Sequence, residues 1–138
     1  MTEELIGRLE SGDGEDRKLD AALLYIADRE QYERCQALYV EKAAEAAKNG
    51  LTNRDLACWN YGFSACPHYT LRLDAAISLV EKMLPGAEFN LTNLYGVAQA
   101  ELPLNHSERG WETGRHKGGS LPRAVLIAML AALSRQEE

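Results

Sequence analysis

The residues best suited to hold a ligand lie between positions 105 and 120, where basic, aromatic and hydroxyl side chains alternate with glycine. Glycine permits a positive φ and close backbone approach, so successive N–H groups can converge on an anion. Arginine supplies a planar fork, and tryptophan offers a face on which a base can stack. A helix that begins after such a segment adds further N–H donors. The candidate ligand-binding residues are therefore Arg109, Trp111, Arg115, His116, Lys117, Gly118, Gly119 and Ser120.

A simpler interpretation of the same segment is a solvated connection in which Ser120 only caps the following helix. The spacing of the glycines matches neither a Walker loop nor a dinucleotide fingerprint, and no machinery for phosphate hydrolysis accompanies it. The sequence leaves both interpretations open, an anion or nucleotide site and a plain connection.

Metal ions and cofactors are not indicated. Zinc ligands are normally paired two to four residues apart, whereas Cys58 and Cys66 are eight positions apart and the histidines are scattered. The sequence Cys66-Pro67-His68 makes no activated thiol by itself. The sequence predicts no metal, no cofactor and no catalytic residue, with all three thiols, Cys35, Cys58 and Cys66, packed inside.

The composition restricts the classes of partner. The chain has 138 residues and a net charge of −6, which argues against general nucleic-acid binding but allows a small local basic patch. The acidic start MTEELIGRL is not a signal peptide, and an odd number of cysteines favours free thiols in a reducing cytosol. The longest apolar run, 124–133, is too short to span a bilayer. We expect a soluble protein of one domain, residues 1–138.

The spacing of apolar residues predicts the elements that position the candidate site. Apolar side chains recur at helical intervals, as at Leu19, Leu23 and Ile26, and Asn49-Gly50 and Pro85-Gly86 end two such segments. The predicted helices cover 3–10, 15–30, 36–48, 71–84 and 121–134, and two predicted strands cover 88–94 and 96–102. The stretch 51–67 is predicted as a short strand or a packed loop, with its aromatic rings in a core or interface. The fold class is therefore α+β, helix-rich, with a small antiparallel sheet between helices.

Three segments together resemble the small bacteriophage proteins grouped as the phage ABA sandwich domain. They are ELIGRLESGDGEDRKLDAALLYIAD at 4–28, PHYTLRLDAAISLVEKMLPG at 67–86 and SLPRAVLIAMLAALSRQ at 120–136, roughly half the chain. The resemblance implies an α-β-α sandwich and a phage accessory protein in the host cytoplasm. It implies no catalytic residue.

Three functions follow as expectations. The first is a non-enzymatic protein that binds a small anionic ligand, such as a nucleotide immune signal that it sequesters without cleavage. The second is an interaction module, an inhibitor or adaptor that acts on a host protein. The third is a small enzyme on a phosphate ester, with His106 or His116 as general base. Because the last helix is apolar on most of its circumference, a homo-oligomer is also expected.

Overall fold

The computed structural model describes residues 2–50, 55–86, 90–94, 96–103 and 111–136. The α+β class is confirmed, since six helices and a three-stranded antiparallel sheet occur in these ranges. In chain order the elements are α1 (Thr2–Ser11), α2 (Arg17–Ala27), α3 (Arg29–Lys48), α4 (Asp55–Gly62), α5 (Leu73–Met83), β1 (Asn90–Leu94), β2 (Val97–Pro103), β3 (Trp111–His116) and α6 (Leu121–Gln136). None of the described helices is both long enough and apolar enough to cross a membrane.

The chain divides into two compact units, one of residues 1–19 with 68–138 and one of residues 20–67. Each unit is described by itself. A single domain over 1–138 stays a prediction.

The first unit is built on a sheet with strand order β1-β2-β3 and on the helix α6, which packs against all three strands. Helices α1 and α5 also pack against α6. Gly114 in β3 lies directly beneath α6, and a β-carbon on it would come within 2.1 Å of the carbonyl oxygen of Ala124. Only glycine lets the strand approach the helix this closely.

Helix α6 is covered by its own unit. Every residue from 123 to 130 is buried, as is Ala132. The chain itself therefore supplies the cover that we expected from a second subunit. Self-association stays a prediction, but the apolar circumference of α6 no longer argues for it.

The opposite face of the sheet, here called the open face, is exposed at several of the positions whose side chains the structure describes. Across the three strands, Thr92 pairs with Gln99, and Gln99 pairs with Arg115. Thr92, Thr113 and Arg115 are exposed, whereas Ala98 and Ala100, on the alternate face of β2, are buried. A sandwich with helices on both sides, as the resemblance implies, would need a cover over this open face.

The second unit contains α3 and α4, which pack against each other. Here the prediction of a strand or loop over 51–67 is wrong for residues 55–62, which form the helix α4; residues 63–67 are turn or irregular, and residues 51–54 lie outside the described chain. Trp59 and Phe63 are one helical turn apart and stack with ring centroids at 4.7 Å. The alternation of aromatic residues that suggested a strand is therefore a pair of ring positions on one helical face.

The boundary between the two helices predicted at 15–30 and 36–48 lies elsewhere in the structure. Helix α2 ends at Ala27, and Asp28 caps α3 by accepting a hydrogen bond from the Gln31 N–H at 3.1 Å. Helix α3 thus begins seven residues earlier than predicted, at Arg29 and not at position 36. The Leu-Asp-Ala-Ala helices were both expected to bury their similar faces; Leu23 is buried, whereas Ile77 is only half-buried and the buried residues of α5 are Ala76, Leu79 and Val80.

Candidate functional site

Part of the predicted cationic loop is a β-strand. Residues 111–116 form β3, which pairs antiparallel with β2 from Trp111 opposite Pro103 to His116 opposite Ala98. The prediction of one continuous loop from 105 to 119 is therefore wrong for these six residues. Arg109 lies outside the described residues, and of Trp111 only the backbone is described.

The two-residue period of a strand separates candidates that the sequence grouped together. Arg115 is exposed on the open face, whereas His116 belongs to the face beneath α6 and is only 2% exposed. Neighbouring residues on β3 cannot both reach a ligand on one side of the sheet. The structure therefore brings Arg115 and Lys117 to the surface and takes His116 inside.

His116 connects two segments by hydrogen bonds, the linker between α1 and α2 (residues 12–16) and the start of α6. Its Nε2 donates to the carbonyl oxygen of Gly12 at 2.6 Å, and its Nδ1 accepts from the Ser120 N–H at 3.0 Å. This assignment follows from the partners, because a backbone N–H can only donate and a carbonyl can only accept. Both ring nitrogens thus have partners within the chain, which leaves no lone pair for a general base.

Ser120 caps α6, as the simpler interpretation predicts. Its Oγ accepts a hydrogen bond from the Arg123 N–H at 3.3 Å, and its own N–H is donated to His116. Gly119, with φ of 86°, makes the turn that brings the chain from β3 into the helix, and its N–H is donated to the carbonyl oxygen of His116. Several of the N–H donors that we expected an anion to use are therefore already bonded within the chain.

A carboxylate also lies beside this turn. A β-carbon on Gly118 would lie 3.3 Å from Oδ1 of Asp13, which accepts a hydrogen bond from the Gly14 N–H. A negative side chain so close to the helix N-terminus opposes a second anion at the same place. Of the candidates described with their side chains, Arg115 and Lys117 thus remain as the groups that can contact an anion.

Arg115 is held in a defined orientation on the open face. Its Nε donates to Oε1 of Gln99 at 3.1 Å, and Nε2 of Gln99 donates to Oε1 of Glu101 at 2.7 Å. The two terminal nitrogens of the guanidinium are not part of this chain of hydrogen bonds. An arginine oriented from rigid strands meets the usual requirement for a preorganised oxyanion contact.

Two further groups were missed by sequence reasoning. Arg123 is 1% exposed and donates to the carbonyl oxygens of Arg8, Leu9 and Gly14 at 2.9–3.2 Å. The guanidinium caps the C-terminal end of α1, where the helix dipole favours a cation. The available signal was the charge of Arg123 directly before the apolar run 124–133.

The second missed group is the pair of Glu15 and His68, whose Oε1 and Nδ1 are in direct contact. Oε1 of Glu15 also lies 3.8 Å from Nε of Arg17. The backbone N–H of Asp16 donates to Oγ1 of Thr70 at 2.8 Å, so two adjacent residues of the linker hold the segment before α5. Because these partners are more than fifty positions apart, no local pattern could reveal them.

Comparison with family models, with curated proteins and with solved structures finds no match for this chain. The resemblance to the phage sandwich domain therefore stays a prediction from three sequence segments.

Proposed function

We propose that this protein binds a small anionic ligand, of the nucleotide class, without chemical conversion of it. The binding surface is the open face of the sheet around Arg115, and not the N-terminus of α6. In the phage context that the sequence resemblance implies, such a protein would sequester a nucleotide signal of host immunity in the host cytoplasm.

The observation that carries the proposal is the orientation of Arg115 by Gln99 and Glu101. An exposed arginine on a loop must lose conformational freedom when it binds, whereas one already fixed by a hydrogen bond loses less. Lys117 follows Arg115 by two positions and is also exposed, so a second cation is available close by in the chain. Trp111 precedes Arg115 by four positions on the same strand, about 13 Å along a strand at the usual rise. A ligand that reaches both positions carries a base at one end and a phosphoryl group at the other.

The proposed absence of chemistry is supported by the surroundings of His116, which the enzyme hypothesis used as its general base. Both its nitrogens are bonded to backbone atoms, and the ring is buried. A base needs a free lone pair within reach of the substrate. The other histidine of that hypothesis, His106, lies outside the described residues.

A thermal-shift screen against inorganic phosphate and against mono-, di- and cyclic nucleotides tests the proposal. A ligand that binds only the folded chain must raise the midpoint of unfolding. Arg115→Gln should weaken binding about ten- to a hundredfold, because one charged hydrogen-bond partner is lost. Arg34→Gln, which removes an exposed cation of α3, is the matched control and should leave the affinity for the ligand unchanged.

The fate of the bound ligand separates sequestration from catalysis. A ligand recovered intact after denaturation supports sequestration, whereas a cleaved product would contradict it. No midpoint shift with any of these compounds would contradict the proposal as a whole.

A second candidate function, an interaction module for a host protein, is favoured by a different observation. Leu38 and Tyr61 in the second unit are 45% and 54% exposed, and Lys42 lies over the Tyr61 ring at 5.1 Å. Large apolar side chains that remain exposed are common at protein interfaces. If Leu38→Ser abolishes binding to a host protein while Arg115→Gln leaves that binding intact, this second function replaces the first.

A further inference from the structure

We infer that the Arg115 site selects a phosphoryl group with a single negative charge, a phosphodiester within a small nucleotide, over a phosphomonoester with two. This inference rests on the proposed function, and it adds the chemical class of the ligand. It follows from the charges around Arg115 and from the edge of the guanidinium that is left for a ligand.

Glu101 limits the negative charge that the site can accept. Its Oε1 is joined to Nε of Arg115 through the side-chain amide of Gln99, by hydrogen bonds of 2.7 and 3.1 Å. With about 2.3 Å between the oxygen and nitrogen of an amide, the carboxylate lies at most about 8 Å from that Nε. Any anion bound to Arg115 is therefore close to a fixed negative charge.

Asp13 adds a second carboxylate beside the turn that carries Lys117. Its Oδ1 lies within 3.3 Å of where a β-carbon on Gly118 would be. The two cations of the site, Arg115 and Lys117, are thus accompanied by two carboxylates. Each negative charge on the ligand is repelled by these carboxylates, and a second charge doubles that repulsion.

The geometry of Arg115 does not require a monoester. Because Nε is donated to Gln99, the edge formed by the two terminal nitrogens is the edge left for a ligand. A phosphodiester has two non-bridging oxygens, and these can accept from both terminal nitrogens in a bidentate arrangement. The diester keeps this contact while avoiding the additional repulsion from Glu101.

Two ligands that share a base and differ in the charge of the phosphoryl group test the effect of that charge alone. Each nucleoside 3′,5′-cyclic monophosphate is compared by calorimetry with the 5′-monophosphate of the same base, at pH 8, where the monoester is doubly charged. The phosphoryl group lies beyond Nε, about 10 Å from the carboxylate, and one extra charge at such a distance changes the affinity by about two- to tenfold. We expect the cyclic nucleotide to bind more tightly by this factor, and the difference to disappear near pH 5, where the monoester carries one charge.

Glu101→Gln keeps the oxygen that accepts from Gln99 and removes the charge. It should raise the affinity for the cyclic nucleotide by about two- to tenfold and that for the monoester by about the square of that factor, so that the ratio of the two affinities shifts towards the monoester by about two- to tenfold. Glu81→Gln, an exposed carboxylate of α5, is the matched control and should change neither affinity.

The outcomes separate the two proposals. If both ligands bind and the monoester binds as tightly as the diester at pH 8, or if Glu101→Gln does not alter the ratio, the charge selection is wrong and the binding function stands. If a single-stranded oligonucleotide binds far more tightly than any cyclic nucleotide, the small-ligand class is wrong. If nothing binds, and Arg115→Gln is without effect, the proposed function itself fails.

Discussion

Replacement of the buried Arg123 tests whether this side chain ties the N-terminal segment to the core of the first unit. Its guanidinium makes four hydrogen bonds to three carbonyl oxygens, which belong to Arg8, Leu9 and Gly14. Arg123→Met preserves much of the apolar volume but removes this donor, and among the described residues only the Arg8 carbonyl keeps another bond, from the Gly12 N–H at 3.2 Å.

The magnitude follows from two opposing contributions. Each carbonyl left unsatisfied costs about 1–3 kcal/mol, while removal of a buried charge relieves part of its desolvation. Because the lost bonds belong to one group, they do not add fully, and the net loss should be about 3–5 kcal/mol in the free energy of unfolding. That is a large fraction of the roughly 5–15 kcal/mol that stabilises a typical domain.

Urea unfolding followed by far-ultraviolet circular dichroism measures the loss. Arg72→Met is the control, because that guanidinium is exposed in an ion pair with Asp74, and its removal should change stability by less than about 1 kcal/mol. If Arg123→Met does not fold, Arg123→Lys keeps the charge without the fork and should lose about 1.5–3 kcal/mol. An Arg123 variant within about 1 kcal/mol of the wild type would refute the reasoning.

Three further predictions concern other contacts. His116→Phe should lower the free energy of unfolding by about 2–4 kcal/mol, measured by urea unfolding, since both backbone partners of the ring lose their bonds. Gly114→Ala should destabilise by about 3 kcal/mol or more because its β-carbon collides with α6, whereas Gly7→Ala, with open space around it, should stabilise by up to about 1 kcal/mol. The side-chain hydrogen bond from Arg72 lowers the pKa of Asp74, so its stabilising effect is present above the carboxyl's unfolded pKa and is lost as the pH falls through the folded pKa. Arg72→Gln should raise that pKa towards the ordinary value, as measured by a carboxyl titration in NMR.

Periodicity predicted most of the helices. Leu19, Leu23 and Ile26 mark one face of α2, and Gly50 and Gly86, both with positive φ, lie just beyond the ends of α3 and α5. These signals are local, and they need only the three or four residues that share a helical turn.

The strand β3 and helix α4 could not be predicted in the same way. In β3, Gly114 resembles a loop residue until the contact with Ala124 of α6 is known. In α4, the aromatic residues at alternate positions have the spacing of a strand, but the stacking of Trp59 on Phe63 is compatible with a helix. In β3 a tertiary contact outweighs the local pattern, whereas in α4 a local contact one helical turn apart does so.

The candidate site was predicted in part. The sequence identified Arg115 and Lys117 as exposed cations near the start of the last helix, which is where the structure has them. It could not predict the register that pairs Arg115 with Gln99 and buries His116, because strand parity is fixed only when the strands pair. The contact between Arg123 and Arg8, 115 positions apart, has no local signal at all.

The most direct test of the binding surface is an NMR titration of the labelled protein with a cyclic nucleotide. We predict that the largest shifts occur at Gln99, Arg115 and Lys117, that the Nε–H signal of Arg115 moves with them, and that Arg115→Gln removes the response. Shifts confined to α3 and α4, or no shifts at all, would contradict the account.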